Sequence, residues 1–222
     1  MATDSETPQA PDTFRVSRRS FIQTLGVSAA AGAIQAKAAG LVVERPVEGP
    51  AILGPDPITI ELKINGKPTS MKIDPATTLL EAIRMHAGLT GCKEVCDRGS
   101  CGGCSMIIDG KLTVSCMMLA VDAIGSEITT VEGLAKGDTL DPVQEMFVKH
   151  DALQCGFCTP GLVMASRSLL NDIPKPTLDQ IKHYLSGNIC RCGTYTNIFN
   201  AVLEASGQSP VADGPLAAGK VG

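Results

Sequence analysis

The 222-residue sequence has no tryptophan, two tyrosines and five phenylalanines, so any core must be filled by Ile, Leu, Val, Met and Ala. It also lacks an excess of positive charge. Lys and Arg number 19 against 23 Asp and Glu, with no basic stripe and no run of like charge, which argues against nucleic acid or anionic lipid as a partner. Outside the first forty residues no window reaches the about eighteen apolar residues that a membrane-crossing helix requires, so no stable membrane span is expected. The three histidines, His86, His150 and His183, are scattered, and no Ser-His-Asp order or converging carboxylate pair occurs. Each reads as a surface or helix-end residue, and no substrate site is expected on this chain.

What the sequence does have is cysteine. Nine are present in a chain that is 44% apolar and 19% charged, a composition ordinary for a globular protein of one or two domains. The opening segment reads as an address. "SRRSFIQTLG" places Arg18-Arg19 ahead of Phe21 and Ile22, a small, weakly apolar stretch follows to Ile34, and Ala36-Lys37-Ala38 supplies a small-x-small cleavage pattern. Residues 1–38 are therefore expected to be a twin-arginine signal peptide, with export of the folded chain to the periplasm. Without them the tally falls to 15 basic and 20 acidic residues, a mildly acidic mature chain.

Two small units follow. "ITIELKI" from Ile58 alternates apolar and polar residues, and Asn65-Gly66 is a tight-turn signal before "SMKI", which together predict a hairpin. "TLLEAIRMHAG" carries Thr78 and Glu81 at capping-box spacing and Gly88 as a stop, predicting a helix across the sheet. "SMII", the Asp109-Gly110 turn, "LTVSCMML" and "EITTVEGL" add further strands. Beyond Gly133, "DPVQEMFVKH", "PGLVMASRSLL", "TLDQIKHYLSG" and "YTNIFNAVLEASG" each show helical spacing over about three turns, predicting four helices. The expected layout is an extended N-terminal segment (39–57), a sheet-bearing domain (58–134), a linker (135–141), a helical domain (142–206) and a flexible tail (207–222). Units of about 70 to 80 residues are marginally stable unless something staples them.

The cysteines fall in both units. Cys96-x4-Cys101-x2-Cys104, with Cys116 further on, has the plant-type spacing of a 2Fe-2S ligand set. Four thiolates this close repel unless a metal centre neutralises them, and Gly99, Gly102 and Gly103 suit a backbone that must turn around such a centre. In the second unit Cys155-x2-Cys158, at the entry to a helix, and Cys190-x-Cys192, in a turn, make another set of four. Structural zinc is one alternative, although a one-residue spacing is awkward for a tetrahedral finger. Disulfides are another, since export leads to an oxidising compartment, although nine is an odd count and a one-residue gap does not favour pairing. A chain that folds around its metal before export meets the oxidant with its thiols already engaged. Cys92, which lacks the spacing to Cys101, reads as a small buried apolar residue.

"CDRGSCGGC", "QCGFCTPG" and "SGNICRCGTY", in that order, resemble the signatures of the iron-sulfur subunit of the xanthine oxidase family of molybdenum hydroxylases, and residues 58–206 fit its layout. With the export signal, "ITTVEGL" and "FVKHDALQCGFC", the resemblance is strongest to the small subunits of periplasmic aldehyde oxidoreductases. It implies an α+β chain: an N-terminal β-grasp, ferredoxin-like domain holding an outer 2Fe-2S cluster on Cys96, Cys101, Cys104 and Cys116, then a C-terminal four-helix domain holding an inner 2Fe-2S cluster on Cys155, Cys158, Cys190 and Cys192.

The resemblance further implies a large partner subunit carrying a molybdopterin cofactor, with Gln154 hydrogen-bonded to that cofactor and Cys192 on the electron path from it. Family members oxidise an aldehyde or an N-heterocycle at molybdenum, and the electrons leave through both clusters to FAD on another subunit or to a cytochrome. A xanthine or N-heterocycle dehydrogenase subunit is the nearest alternative, and an independent ferredoxin-like carrier a more distant one, since a simple ferredoxin has no use for the second cysteine set. His150-Asp151, just before that set, is placed to influence its surroundings. The chain departs from the family pattern where "GCKEVC" puts Cys92 and Val95 in place of threonine and glycine, which bears on loop packing at the outer set. It departs again at "CGTY", where the change is expected to bear on the subunit contact more than on the cluster.

Overall fold

The computed structural model describes residues 53–211. The expected signal peptide (1–38), most of the expected extended segment 39–57 and residues 212–222 of the expected tail lie outside the described residues.

Strand β1 (Ile58–Ile64) buries Ile60, Leu62 and Ile64 while Thr59, Glu61 and Lys63 stay exposed, the alternation that one covered sheet face produces. It turns at Asn65 (φ 52°) and Gly66 (φ 76°) into β2 (Lys67–Ile73), with Ile58 opposite Ile73 and Ile64 opposite Lys67. Two successive positive φ values match the right-handed twist of the strands, which is why Asn-Gly stands there. Asp109 (φ 48°) and Gly110 (φ 78°) make the same turn between β3 (Ser105–Ile108) and β4 (Lys111–Val114). Strand β5 (Glu127–Thr129) runs parallel to β1 and antiparallel to β3, closing a five-stranded mixed sheet of order β2-β1-β5-β3-β4.

Two expected strands are shorter than their sequences suggest. The chain leaves the sheet after Val114 and enters a 3₁₀ turn, Ser115–Met117, then a second, Ala120–Ala123, so Cys116 is carried by a turn and its side chain is buried. Likewise β5 stops at Thr129 and Val131–Gly133 forms another 3₁₀ turn. The reason lies beyond the strands: Asn65 accepts the Thr130 N–H through Oδ1 at 2.8 Å and donates to Thr130 Oγ1 at 3.0 Å, drawing the backbone off the ladder.

The crossing helix starts as predicted, with the Thr78 hydroxyl accepting the Glu81 N–H, but only Leu79–Glu81 is α-helical (α1). Ala82–His86 widens into a π turn in which the Ala87 N–H reaches the Ala82 carbonyl. The wider turn lets Leu79, Leu80, Ala82 and Ile83 all face the sheet, each at most 1% exposed.

The second half contains α2 (Pro142–Lys149), α3 (Thr159–Asp172), α4 (Leu178–Tyr184) and α5 (Tyr195–Ala205). Capping boxes at Asp141 with Gln144 and at Thr177 with Gln180 start α2 and α4. Helix α4 is only seven residues long and finishes in a 3₁₀ turn, Leu185–Gly187. Helix α3 is buried on almost every side, from Gly161 through Ser166, because it packs against the other helices and also against β3 and β4. All four residues of β3 are consequently buried: Met106 and Ile108 join the core under α1, and α3 covers the strand as well. Past α5, Gln208 donates to the Pro176 carbonyl and the Val211 N–H to Asn200 Oδ1, so the first part of the tail is tied back to the helices.

Candidate metal centres

None of the nine cysteines is in a disulfide. Cys92 lies in the first core at 1% exposure with its Sγ 3.5 Å from the Ser105 carbonyl, and burial pushes its thiol up to about 12. It behaves as a small apolar residue. The other eight gather into the two expected sets.

The first set is wrapped by the loop from Cys96 to Cys104. Gly99 and Gly102, both at φ 70°, turn the backbone so that N–H groups point at sulfur: Gly99 donates to Cys116 Sγ at 3.3 Å and Gly103 to Cys101 Sγ at 3.5 Å. Cys104 and Cys116 are buried, while Cys96 and Cys101 reach part-way to the surface. The Cys104 carbonyl is fixed by Ser115 Oγ at 2.8 Å. Amide donation from Arg98, then the facing Cys101 thiol, lowers Cys96 to about 7, and burial raises Cys116 to about 11.

The second set is assembled from two segments. Cys155 and Cys158 precede the first turn of α3, Cys158 being its N-cap, and Cys190 and Cys192 lie in the turn before α5. Cys155 and Cys192 are exposed, Cys158 is half-buried and Cys190 is buried. Burial pushes Cys158 up to about 12. Burial acts the same way on Cys190, yet the Thr194 hydroxyl and amide, the Cys158 thiol and the Gly193 amide together outweigh it and bring that thiol down to about 7. The "CGTY" motif also lies against the cysteine turn. Thr194 Oγ1 lies 3.4 Å from Cys190 Sγ, and Tyr195 Oη accepts the Cys190 N–H at 2.8 Å, so this motif shapes the cysteine turn directly.

Within each set the thiols lie close enough to perturb one another: Cys101 acts on Cys96, Cys104 and Cys96 on Cys116, Cys192 and Cys190 on Cys155, and Cys190 and Cys155 on Cys158. Among the described residues no three Cys, His, Asp or Glu side chains converge on a single ion position. A tetrahedral zinc needs four ligands about one point, whereas a diiron centre needs two thiolates on each of two irons. Two sets of four thiols with no common ion position fit the second. Thr159 Oγ1, next to Cys158, adds to the fit as the one buried side-chain oxygen or nitrogen without a hydrogen-bond partner among the described residues.

The sets adjoin. Cys101 and Gly103 of the first and Cys155 and Cys158 of the second line one cavity of about 90 Å³, whose wall includes the exposed apolar side chains Val95, Phe157 and Ile189. The Ile189 N–H donates to the Cys101 carbonyl at 2.9 Å, and Asn188 Nδ2 donates to the Gly102 carbonyl at 2.9 Å. Sequence reasoning missed this joint. Asn188, Ser105 and Gly161, whose added Cβ would lie 2.2 Å from the Gly102 oxygen, gave no signal beyond adjacency to cysteine motifs. Gln154 is exposed beside Cys155, and His150 faces Glu204 on α5 rather than a cysteine.

Residues 130–203 match the family model described as a 2Fe-2S binding domain. The aldehyde oxidoreductase iron-sulfur-binding subunit PaoA of Escherichia coli O157:H7 is 38% identical over 213 residues, covering 89% of this chain and 91% of the relative. The xanthine dehydrogenase iron-sulfur-binding subunit of the same organism is 46% identical over 149 residues, covering 66% of this chain and 93% of the relative. Among solved structures, quinoline 2-oxidoreductase from Pseudomonas putida 86 superimposes with a TM-score of 0.65 at 43% identity, covering 70% of this chain and 99% of that one. Cysteine sets, fold and relatives agree: the chain belongs to the iron-sulfur subunits of the xanthine oxidase family of molybdenum hydroxylases.

Proposed function

We propose that this chain is the electron-transfer subunit of a periplasmic molybdenum hydroxylase of the aldehyde oxidoreductase type, relaying electrons from the molybdopterin site of a large subunit to an FAD-binding subunit or a cytochrome. The observation that carries the reading is the shared cavity: both cysteine sets border it, so centres held by them are close enough to exchange charge. Two 2Fe-2S clusters, when bound, supply one-electron carriers whose potentials respond to burial, charge and hydrogen bonds at sulfur.

In this reading residues 58–134 form a β-grasp, ferredoxin-like domain with Cys96, Cys101, Cys104 and Cys116 as the outer ligands. Residues 142–206 form a four-helix domain with Cys155, Cys158, Cys190 and Cys192 as the inner ones, and residues 135–141 connect the two. The inner set presents exposed Cys155, Cys192 and Gln154 on one edge, which suits the molybdopterin-bearing partner, with Gln154 placed to hydrogen-bond its cofactor. The buried Cys104 and Cys116 hold the outer set inside its own domain. Residues 1–38 direct export by the twin-arginine route.

Similarity to the aldehyde oxidoreductase subunit across 89% of the chain supports that substrate class. A second reading, a xanthine or N-heterocycle dehydrogenase subunit, draws on the higher 46% identity over a shorter stretch. Purification from the native source without oxygen tests both. Two distinct 2Fe-2S signals by EPR, a co-purifying molybdenum subunit and oxidation of aldehydes over purines are expected. Absence of iron, or of any large partner, overturns the proposal.

A further inference from the structure

We infer that Asn188, on the inner cysteine turn, is a positioning residue that raises the reduction potential of the outer centre by fixing one peptide plane in the outer loop. The inference rests on the assignment of the two cysteine sets to 2Fe-2S clusters. Asn188 is 5% exposed, a polar side chain almost wholly enclosed. Its Nδ2 donates to the Gly102 carbonyl at 2.9 Å and to Ser105 Oγ at 3.3 Å, across 86 and 83 residues of sequence. The same carbonyl accepts the Ser105 hydroxyl at 2.8 Å and the Ser105 N–H at 3.1 Å. Three donors therefore hold one oxygen.

That oxygen belongs to the peptide unit linking Gly102 to Gly103, and in a trans peptide C=O and N–H point in opposite directions. Anchoring the carbonyl on Asn188 and Ser105 aims the Gly103 N–H the other way, where it meets Cys101 Sγ at 3.5 Å. Gly102 sits at φ 70°, and a glycine on both sides of the bond leaves the plane free to rotate unless something holds it. An N–H donated to a thiolate ligand stabilises the more negative, reduced state of an iron-sulfur centre and so raises its potential. The inner turn thus reaches across the chain to adjust the outer centre, keeping it an easier electron acceptor than it is when the peptide rotates.

The test uses the complex purified as a whole, with EPR-monitored redox titration of each centre. Asn188→Leu, close in volume but without a donor, is expected to lower the outer potential so that the reduced-to-oxidised ratio at fixed poise falls about tenfold, about 59 mV for a one-electron couple. The inner centre is expected to shift less. Ser105→Ala, a smaller change made from the outer loop, is expected to move the outer potential in the same direction by a lesser amount and keeps the test decisive if Asn188→Leu does not assemble. An outer potential unchanged in Ser105→Ala, or inner and outer potentials falling equally in Asn188→Leu, overturns the inference. Failure of the wild-type complex to show two 2Fe-2S signals overturns the cluster assignment instead.

Discussion

The outer set is gathered by one loop of nine residues plus Cys116, its glycine amides point inward at sulfur, and two of its four cysteines are buried. The inner set is drawn from the start of α3 and the turn before α5, 32 residues apart between Cys158 and Cys190, and two of its cysteines stand open to solvent. A centre enclosed by its own loop takes its sulfur-directed amides from that loop, although Asn188 of the inner turn steadies one of them. One assembled from a helix start and a distant turn depends on the packing that brings these together, and its open edge is available to a partner.

Substitutions sharpen that contrast. The largest effect is expected from Cys155→Ser, which removes one of the proposed inner ligands: turnover drops on the order of 10²-fold or more while the outer 2Fe-2S signal persists. Undiminished reduction of the outer centre by substrate in that variant reverses the assigned order. Gly161→Ala comes next. Its Cβ would lie 2.2 Å from the Gly102 carbonyl, which is backbone and yields only if α3 and the outer loop part, at a cost of about 1–3 kcal/mol in stability with broadening of both EPR signals.

Tyr195→Phe leaves the Cys190 N–H without its acceptor, and thermal unfolding is expected to show a loss of about 1 kcal/mol with changes confined to the inner signal. The smallest effect belongs to Glu204→Gln. Lys149, then His150, hold the Glu204 carboxyl below the usual carboxylate range. A group depressed on folding contributes stability above its unfolded value and loses it as pH falls through the folded value. Melting temperature in the variant should therefore fall less steeply with acid than in the wild type. An unchanged slope removes the ion pair from the account.

Local features were legible in the chain. Asn65-Gly66 and Asp109-Gly110 announce hairpins because few other pairs accept two positive φ values, and Thr78, Asp141 and Thr177 announce helix starts because their oxygens meet amides three residues or fewer away. The separate cysteine motifs were legible because each spacing is local, whereas the joining of Cys155 and Cys158 to Cys190 and Cys192 spans 32 residues between the motifs. "LTVSCMML" misled, since its apolar residues continue past the point where the Ser115 side chain binds the Cys104 carbonyl and the strand gives way to a turn. "SMII" gave no hint that both faces of β3 are covered, because an unbroken apolar run does not say what lies on either side. The joint between the loops was hidden for the plainest reason: Asn188 and Gly102 meet only after the whole intervening chain has folded.

Strand β3 carries a lesson for anyone cutting or splicing this gene. With α1 over one part of its surroundings and α3 over another, its four residues belong to both halves at once. A fragment ending near residue 135 sheds α3 and bares Ile107 and Leu112 to water, inviting self-association, and a transplanted helical half arrives without the floor it rests on. The chain travels as one piece, and chimeras between relatives should place their crossovers before β1 or after α5.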